Sequence, residues 1–293
     1  MNAFIIKIIA LVSMLIDHTG CMLAAMEKLS ASQYLVMRSL GRVAFPVYAF
    51  LIVEGFEKTS DRAKYLTRLC VFAAVSQIPY NFAPLTSSAS SSAAEYFFSF
   101  RSDAVYLVVL AILLLAFVVS VIRKKYVRLA GSVLAAYIIA GASCALGGVT
   151  ILTGELNVFY TLACSLAVLC ITDMIKRREE YSVYDITAAV VLTAVCGIVI
   201  LACSDYGYMG LALIFALYIF KGNRAAQAVS LVLWSVCIYT PTGTSGLCLC
   251  LAAALSAVPV LFYSGSQGKK TRAFYYAYPA HLILLGIIYR LAI

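Results

Sequence analysis

Apolar stretches of about twenty residues recur from one end of the chain to the other, each long enough as a helix to cross a hydrocarbon layer about 30 Å thick. They lie near 4–26, 34–56, 65–82, 103–122, 129–152, 157–175, 185–203, 206–220, 225–241, 246–264 and 274–293. In lipid every backbone N–H and C=O has to be satisfied within the protein, and an α-helix does so without outside partners. The pattern predicts an all-α, polytopic transmembrane helix bundle of about eleven spans, built over 1–293 as a single integral membrane domain. Of the 293 residues, 63% are apolar and only 12% charged, against roughly 25% charged in ordinary globular chains. That excludes disorder, a collagen-like rod and a free-standing soluble enzyme. The first stretch lacks a small-residue cleavage site followed by a polar mature domain, so it is read as a retained span.

The formal charge of +9 would suggest a nucleic-acid partner in a soluble chain. Here the cations cluster between apolar stretches, as the positive-inside rule requires of cytoplasmic loops. With the N-terminus in the cytoplasm, the inward loops hold Lys58, Arg62, Lys64 and Arg68, then Arg123, Lys124, Lys125 and Arg128, then Lys176, Arg177 and Arg178, then Lys221 and Arg224, then Lys269, Lys270 and Arg272. The largest outward loop, Ala83 to Asp103, contains Ser87, Ser88, Ser90, Ser91 and Ser92 and reads as flexible, because small polar residues bury too little apolar surface to offset their ordering entropy. The ten cysteines lack the paired spacings of a zinc site and read as small apolar core residues; no metal is expected.

An ionisable group inside a span costs at least about 2.5–3.5 kcal/mol, so each should face the bundle interior or a wet cavity. The two histidines both lie in expected spans: His18 follows Asp17 in the first, and His281 lies in Tyr278-Pro279-Ala280-His281 of the last. Histidine is the side chain best suited to moving protons near neutral pH, and a carboxylate can orient it. Residue counting puts His18 toward the outward face and His281 about two turns in from the cytoplasmic face, one histidine per side. Arg42, Gln77, Asn81, Asn157, Thr161 and Asp205 gather at the outward level, which predicts a polar, substrate-binding site opening there. Arg42 lies deep enough to need a partner such as Asp17 or Asp205, whereas Arg38, one turn earlier, fits snorkelling to the interface. Pro46 should kink the second span and free a nearby carbonyl. Glu54, near the inner end of that span, reads equally as a site residue or as an interfacial carboxylate paired with a basic loop.

The inward cations Arg62, Lys64, Arg68, Lys269, Lys270 and Arg272 could hold a phosphorylated cytoplasmic donor, although positive-inside topology alone accounts for them. No Walker loop, dinucleotide fingerprint or paired His or Cys ligand motif is present, so ATP-driven transport and zinc hydrolysis lose support.

The segments Lys7-Ile8-Ile9-Ala10-Leu11-Val12-Ser13-Met14-Leu15-Ile16-Asp17-His18-Thr19-Gly20 and Gly41-Arg42-Val43-Ala44-Phe45-Pro46-Val47-Tyr48-Ala49-Phe50-Leu51-Ile52-Val53-Glu54-Gly55 resemble the TraX family. Shorter matches follow in the family's order: Arg62 to Leu69, Ser76 to Asn81, Asn157 to Leu162, Asp205 to Leu211 and Tyr278 to Leu282. The resemblance implies a polytopic membrane acetyltransferase that uses cytoplasmic acetyl-CoA, in the bacterial cytoplasmic membrane. The chain departs from the pattern between Asn81 and Asn157, where the serine-rich loop and two extra spans, at about 83–152, are inserted, so pilin, the acceptor that the resemblance implies, is not carried over.

Acetyl transfer needs a base for the acceptor proton and donors that stabilise an oxyanion. The expected roles are His18 as base assisted by Asp17, Arg42 or Asn157 stabilising charge, and His281 nearer the donor, either in direct transfer or as an acetylated relay. The acceptor would be a peptide N-terminus, an amino sugar or a hydroxyl. The alternative is a proton-coupled secondary transporter or flippase built on Asp17, His18 and Arg42, which would call for repeated halves that the sequence lacks. A non-catalytic scaffold would not keep so costly a polar cluster.

Overall fold

The structure, a computed structural model, describes residues 1–85, 93–124, 127–146, 156–176, parts of 182–196 and 206–292. Among them the helices are α1 Ala3–Ala25, α2 Ala31–Gly41, α3 Ala44–Lys58, α4 Arg62–Phe82, α5 Ala93–Ile122, α6 Val127–Leu146, α7 Val158–Lys176, α8 Gly207–Ile219, α9 Arg224–Tyr239, α10 Gly243–Ala254, α11 Ala257–Leu261 and α12 Ala273–Ala292. Every expected span but 185–203, which falls largely outside the described residues, coincides with one helix or a broken pair. Four stretches are long and apolar enough to cross a membrane: Ala3–Ala25, Ala31–Lys58, Val158–Lys176 and Gly243–Leu261.

The chain forms two compact units, Met1–Glu57 with Phe82–Ser88 and Ala212–Ile293, and Lys58–Asn81 with Ala89–Leu211. In the first, Asn2 caps α1 by accepting from the Ile5 N–H, and a reciprocal Ser30–Gln33 box starts α2. α1 packs on α2 and α12, α10 on α2, and α9 on α10 and α11. α3 is the apolar centre: Val47, Ala49, Phe50 and Phe56 are fully buried, with Phe45 beside Trp234, Phe50 edge-on to Tyr263 and Phe56 edge-on to Tyr218.

The expected second span is broken between α2 and α3. Pro46 has no N–H to give the Arg42 carbonyl, and its ring crowds that same carbonyl, so the helix stops at Gly41 and restarts at Ala44. The carbonyls left over at the end of α2 find side chains: Ser13 Oγ donates to the Leu40 oxygen at 2.6 Å and Arg42 Nε to the Arg38 oxygen at 3.1 Å. The proline thus turns a plain span into one with a polar joint halfway along.

The outside of this unit is apolar at helical spacing. Ile5, Ile8 and Val12 on α1, Val229, Val232, Leu233 and Val236 on α9, and Ile283, Leu284, Ile287, Ile288 and Leu291 on α12 are all exposed. Apolar stripes of this extent are not tolerated in water but suit lipid contact, and they mark a membrane protein.

In the second unit α5 packs on α6, Thr67 of α4 bonds Ser132 of α6 at 2.9 Å, and α7 is the buried element, with Leu166, Ala167 and Leu169 at zero exposure. The helix α5 starts at Ala93, so it takes up half of the segment expected to be a loop from 83 to 103. The reason is local: from Ala93 to Ile122 there is neither Gly nor Pro to stop a helix. The serines at 87, 88, 90, 91 and 92 lie outside the described residues.

Candidate functional site

Asp17 and His18, consecutive on α1, diverge by about 100° and serve different neighbours. The Asp17 carboxylate, 11% exposed, accepts from Arg42 Nη2 at 2.8 and 2.7 Å and from Arg38 Nη1 at 2.7 Å. Arg42 also donates to the Tyr239 hydroxyl at 3.4 Å, and Arg38 to Cys21 Sγ at 3.1 Å. The Asp17–Arg42 pairing is one of the two partners that the depth of Arg42 called for. Arg38 is a correction: it joins the same carboxylate instead of snorkelling away. Its position was legible, since residues four apart share a helix face and Arg38 and Arg42 are such a pair.

Close approach of α1 and α2 makes this cluster possible. A methyl group on Gly41 would overlap the Asp17 side chain, and one on Gly20 would press on Met37; small residues at a helix crossing let backbones approach. Gly41→Ala is expected to destabilise the protein by about 1–3 kcal/mol through overpacking and to push Asp17 off Arg42, read as a lower thermal midpoint in detergent.

His18 faces α12. Its Nδ1 lies 2.7 Å from His281 Nε2, the rings edge to edge with centroids 5.0 Å apart and 21° between planes. His281 Nδ1 lies 2.9 Å from the Ala277 carbonyl, and Tyr278 stands edge-on to both rings at 6.2 and 5.5 Å. The expectation of one histidine toward each face is therefore overturned. The N-terminal ends of α1 and α12 meet at Phe4 and Phe274, 5.7 Å apart, but residue counting fixes a level only along each helix's own axis and omits tilt and side-chain reach. Asp17, engaged with two arginines, is not the orienting partner of His18; His281 is.

The contact sets the tautomers. A carbonyl only accepts, so in the neutral pair His281 Nδ1 carries a proton toward Ala277, its Nε2 offers a lone pair, and His18 Nδ1 donates to it. His18 Nε2 is then left as a lone pair, with no partner among the described residues.

The remaining expected residues fall elsewhere. Gln77, Asn81 and Asn157 belong to the second unit and bond one another: Gln77 Oε1 accepts from the Asn157 N–H at 3.0 Å and its Nδ2 at 2.7 Å, and Gln77 Nε2 donates to Asn81 Oδ1 at 2.9 Å. Asn157 Nδ2 also donates to the Ala73 carbonyl, and Thr161 is fully buried one turn further on. This knot joins the start of α7 to the end of α4. Glu54 takes the interfacial reading, accepting from Arg224 Nη1 at 2.7 Å, with the guanidinium over Phe50 and Tyr263. Arg62 pairs with Asp173, Arg68 is partly exposed and Lys64 exposed on α4, and Lys269, Lys270 and Arg272 are exposed between α11 and α12. Asp205 lies outside the described residues. Sequence reasoning missed Tyr239 and the Ala277 carbonyl, which no local signal marks.

No solved structure matches the chain. The chain is 32% identical over 80 residues to a probable fimbrial assembly protein, FimC of serogroup H1, from Dichelobacter nodosus. That match covers 27% of this chain and spans about a third, 32%, of the relative's length. The family model described as TraX protein matches residues 3–150 and 110–289, nearly the whole chain. The chain belongs to the TraX family.

Proposed function

We propose that the protein is an acetyltransferase of the bacterial cytoplasmic membrane, with its N-terminus in the cytoplasm, which moves the acetyl group of acetyl-CoA to an amine of a peptide N-terminus or amino sugar. The observation that carries this reading is the directed chain from Ala277 through His281 to His18, which ends in an unshared lone pair on His18 Nε2. A proton acceptor held in one tautomer by a second residue is what general-base transfer from an amine requires. As the acceptor nitrogen attacks the thioester carbonyl, His18 Nε2 takes its proton; the C–S bond breaks, and the proton returns to the departing thiolate.

The resulting imidazolium is stabilised through Nδ1 by His281. His281 has both ring nitrogens engaged and is 8% exposed, which favours direct transfer over a relay through an acetylated His281. Arg42, fixed between Asp17 and Tyr239 in the same unit as His18, is the candidate taken for stabilising charge. Among the inward cations, Lys64, Lys269, Lys270 and Arg272 have the exposure that binding the donor's phosphates needs, whereas Arg62 is engaged by Asp173. The similarity to a fimbrial assembly protein supports an acceptor among extracytoplasmic assembly components.

The test is thiol release from acetyl-CoA by the purified protein in nanodiscs, with and without peptide and amino-sugar amines. Acceptor-dependent release is expected. Absence of both acetyl-CoA binding and release would overturn the reading and leave the proton-coupled transporter, with solute uptake as its assay.

A further inference from the structure

The charges around Asp17 do not cancel. Two guanidinium groups bind one carboxylate, which leaves one positive charge in a half-buried setting. Arg42 turns its donors inward, with Nε on the Arg38 carbonyl, Nη2 on Asp17 and Nη1 toward Tyr239. Arg38 does not. Its Nη1 serves Asp17 and Cys21, while Nε and Nη2 have no hydrogen-bond partner among the described residues, and 29% of the side chain is exposed.

The Nε–Nη2 side of a guanidinium presents two parallel N–H bonds spaced to match two oxygens of a carboxylate or phosphate. Tyr34 lies against the guanidinium at 5.9 Å from its ring centroid, and Asp17 anchors the other end, so the open edge is held in place without being filled. It also lies beside the base. Cys21, which Arg38 touches, is three residues beyond His18, and side chains so spaced are neighbours on one helix face.

We infer that the open edge of Arg38 is a subsite for a phosphate or carboxylate carried by the acceptor, which holds the acceptor's amine beside His18. The acceptor's identity as the ligand rests on the acetyl-transfer reading; the anion subsite itself does not. An anionic lipid headgroup shares the chemistry, so the experiment has to separate the two sources.

The chain carries a reporter for it. Trp234 is its single tryptophan and stands edge-on to Tyr239 at 6.2 Å, the residue that holds Arg42. Trp234 fluorescence is followed while matched pairs are titrated, glucosamine 6-phosphate against glucosamine and an N-terminal alanyl-glutamate amide against alanyl-glutamine amide. The protein is held in nanodiscs of phosphatidylcholine alone or with phosphatidylglycerol.

The charged member of each pair is expected to bind about ten- to a hundredfold tighter, the ratio for a charge-assisted pair of hydrogen bonds, in both lipid compositions. Arg38→Gln and Arg38→Lys should each bring that ratio close to one. Arg38→Lys keeps a cation for Asp17 and hence a near-native thermal midpoint, which separates loss of the forked edge from loss of the fold. Equal binding of charged and neutral probes, an unchanged ratio in both Arg38 variants, or loss of charged-probe binding in phosphatidylglycerol would overturn the inference, the last assigning the edge to a lipid headgroup. A protein that prefers the charged probes yet releases no thiol from acetyl-CoA would keep the subsite and refute the transferase reading; release with no charge preference would do the reverse.

Discussion

Replacing His18 with alanine should lower acceptor-dependent thiol release by about 10²–10⁴-fold, the usual contribution of a positioned general base, while acetyl-CoA binding persists. One nitrogen decides the outcome. His18 Nδ1 is committed to His281, so Nε2 is the atom left to take a proton, and no other described imidazole has one available. Variants of His281 then separate orientation from chemistry. His281→Leu removes the acceptor for the Nδ1 proton and frees the His18 ring to change tautomer, so kcat should fall by roughly tenfold or more with KM little changed. His281→Gln restores an oxygen that can accept the same proton and should recover part of that loss. Equal activity of His281→Leu and wild type would remove His281 from the mechanism. Retained release in His18→Ala would remove His18 with it.

Asp17→Asn should be strongly destabilising to the first unit. Asp17 is the counter-charge of Arg38 and Arg42, and the Arg42 side chain is 10% exposed, so neutralising the carboxylate leaves an uncompensated buried cation. Breaking a buried pair from one side costs about 3–5 kcal/mol, which corresponds to a thermal midpoint lower by roughly 10 °C in a chain of this size. Much of that cost is the stranded guanidinium and not the lost attraction. Asp17→Asn combined with Arg42→Gln should therefore be more stable than Asp17→Asn alone, the non-additive result expected of residues in direct contact. A combined variant less stable than either single one would show that Arg42 is held by something other than Asp17. The same cluster explains the break in the second span: Pro46 interrupts the helix where Arg42 turns inward.

Much of the fold was legible in one dimension. A span needs about twenty apolar residues because the hydrocarbon has a fixed thickness, and the helix follows because lipid offers the backbone no partners; neither depends on what lies beside the segment. The break at Arg42 was legible for the same reason, since proline acts on a carbonyl four residues away in its own chain. The start of α5 differs from the expected loop because no Gly or Pro after Ala93 stops a helix, whatever the serines before it favour.

The candidate site was legible as a set of residues but not as a set of partners. Asp17, His18, Arg42 and His281 stood out because each is costly inside a membrane, a property of the residue and its span. The sequence by itself determined that membrane fold and those costly positions. Only the tertiary structure decided that His18 meets His281 across 263 residues of sequence, that Arg38 shares Asp17, and that Glu54 goes to Arg224 and Gln77 to Asn157. Which polar groups meet depends on the tilt and rotation of whole helices, set by contacts such as Gly41 against Asp17 that no span encodes alone.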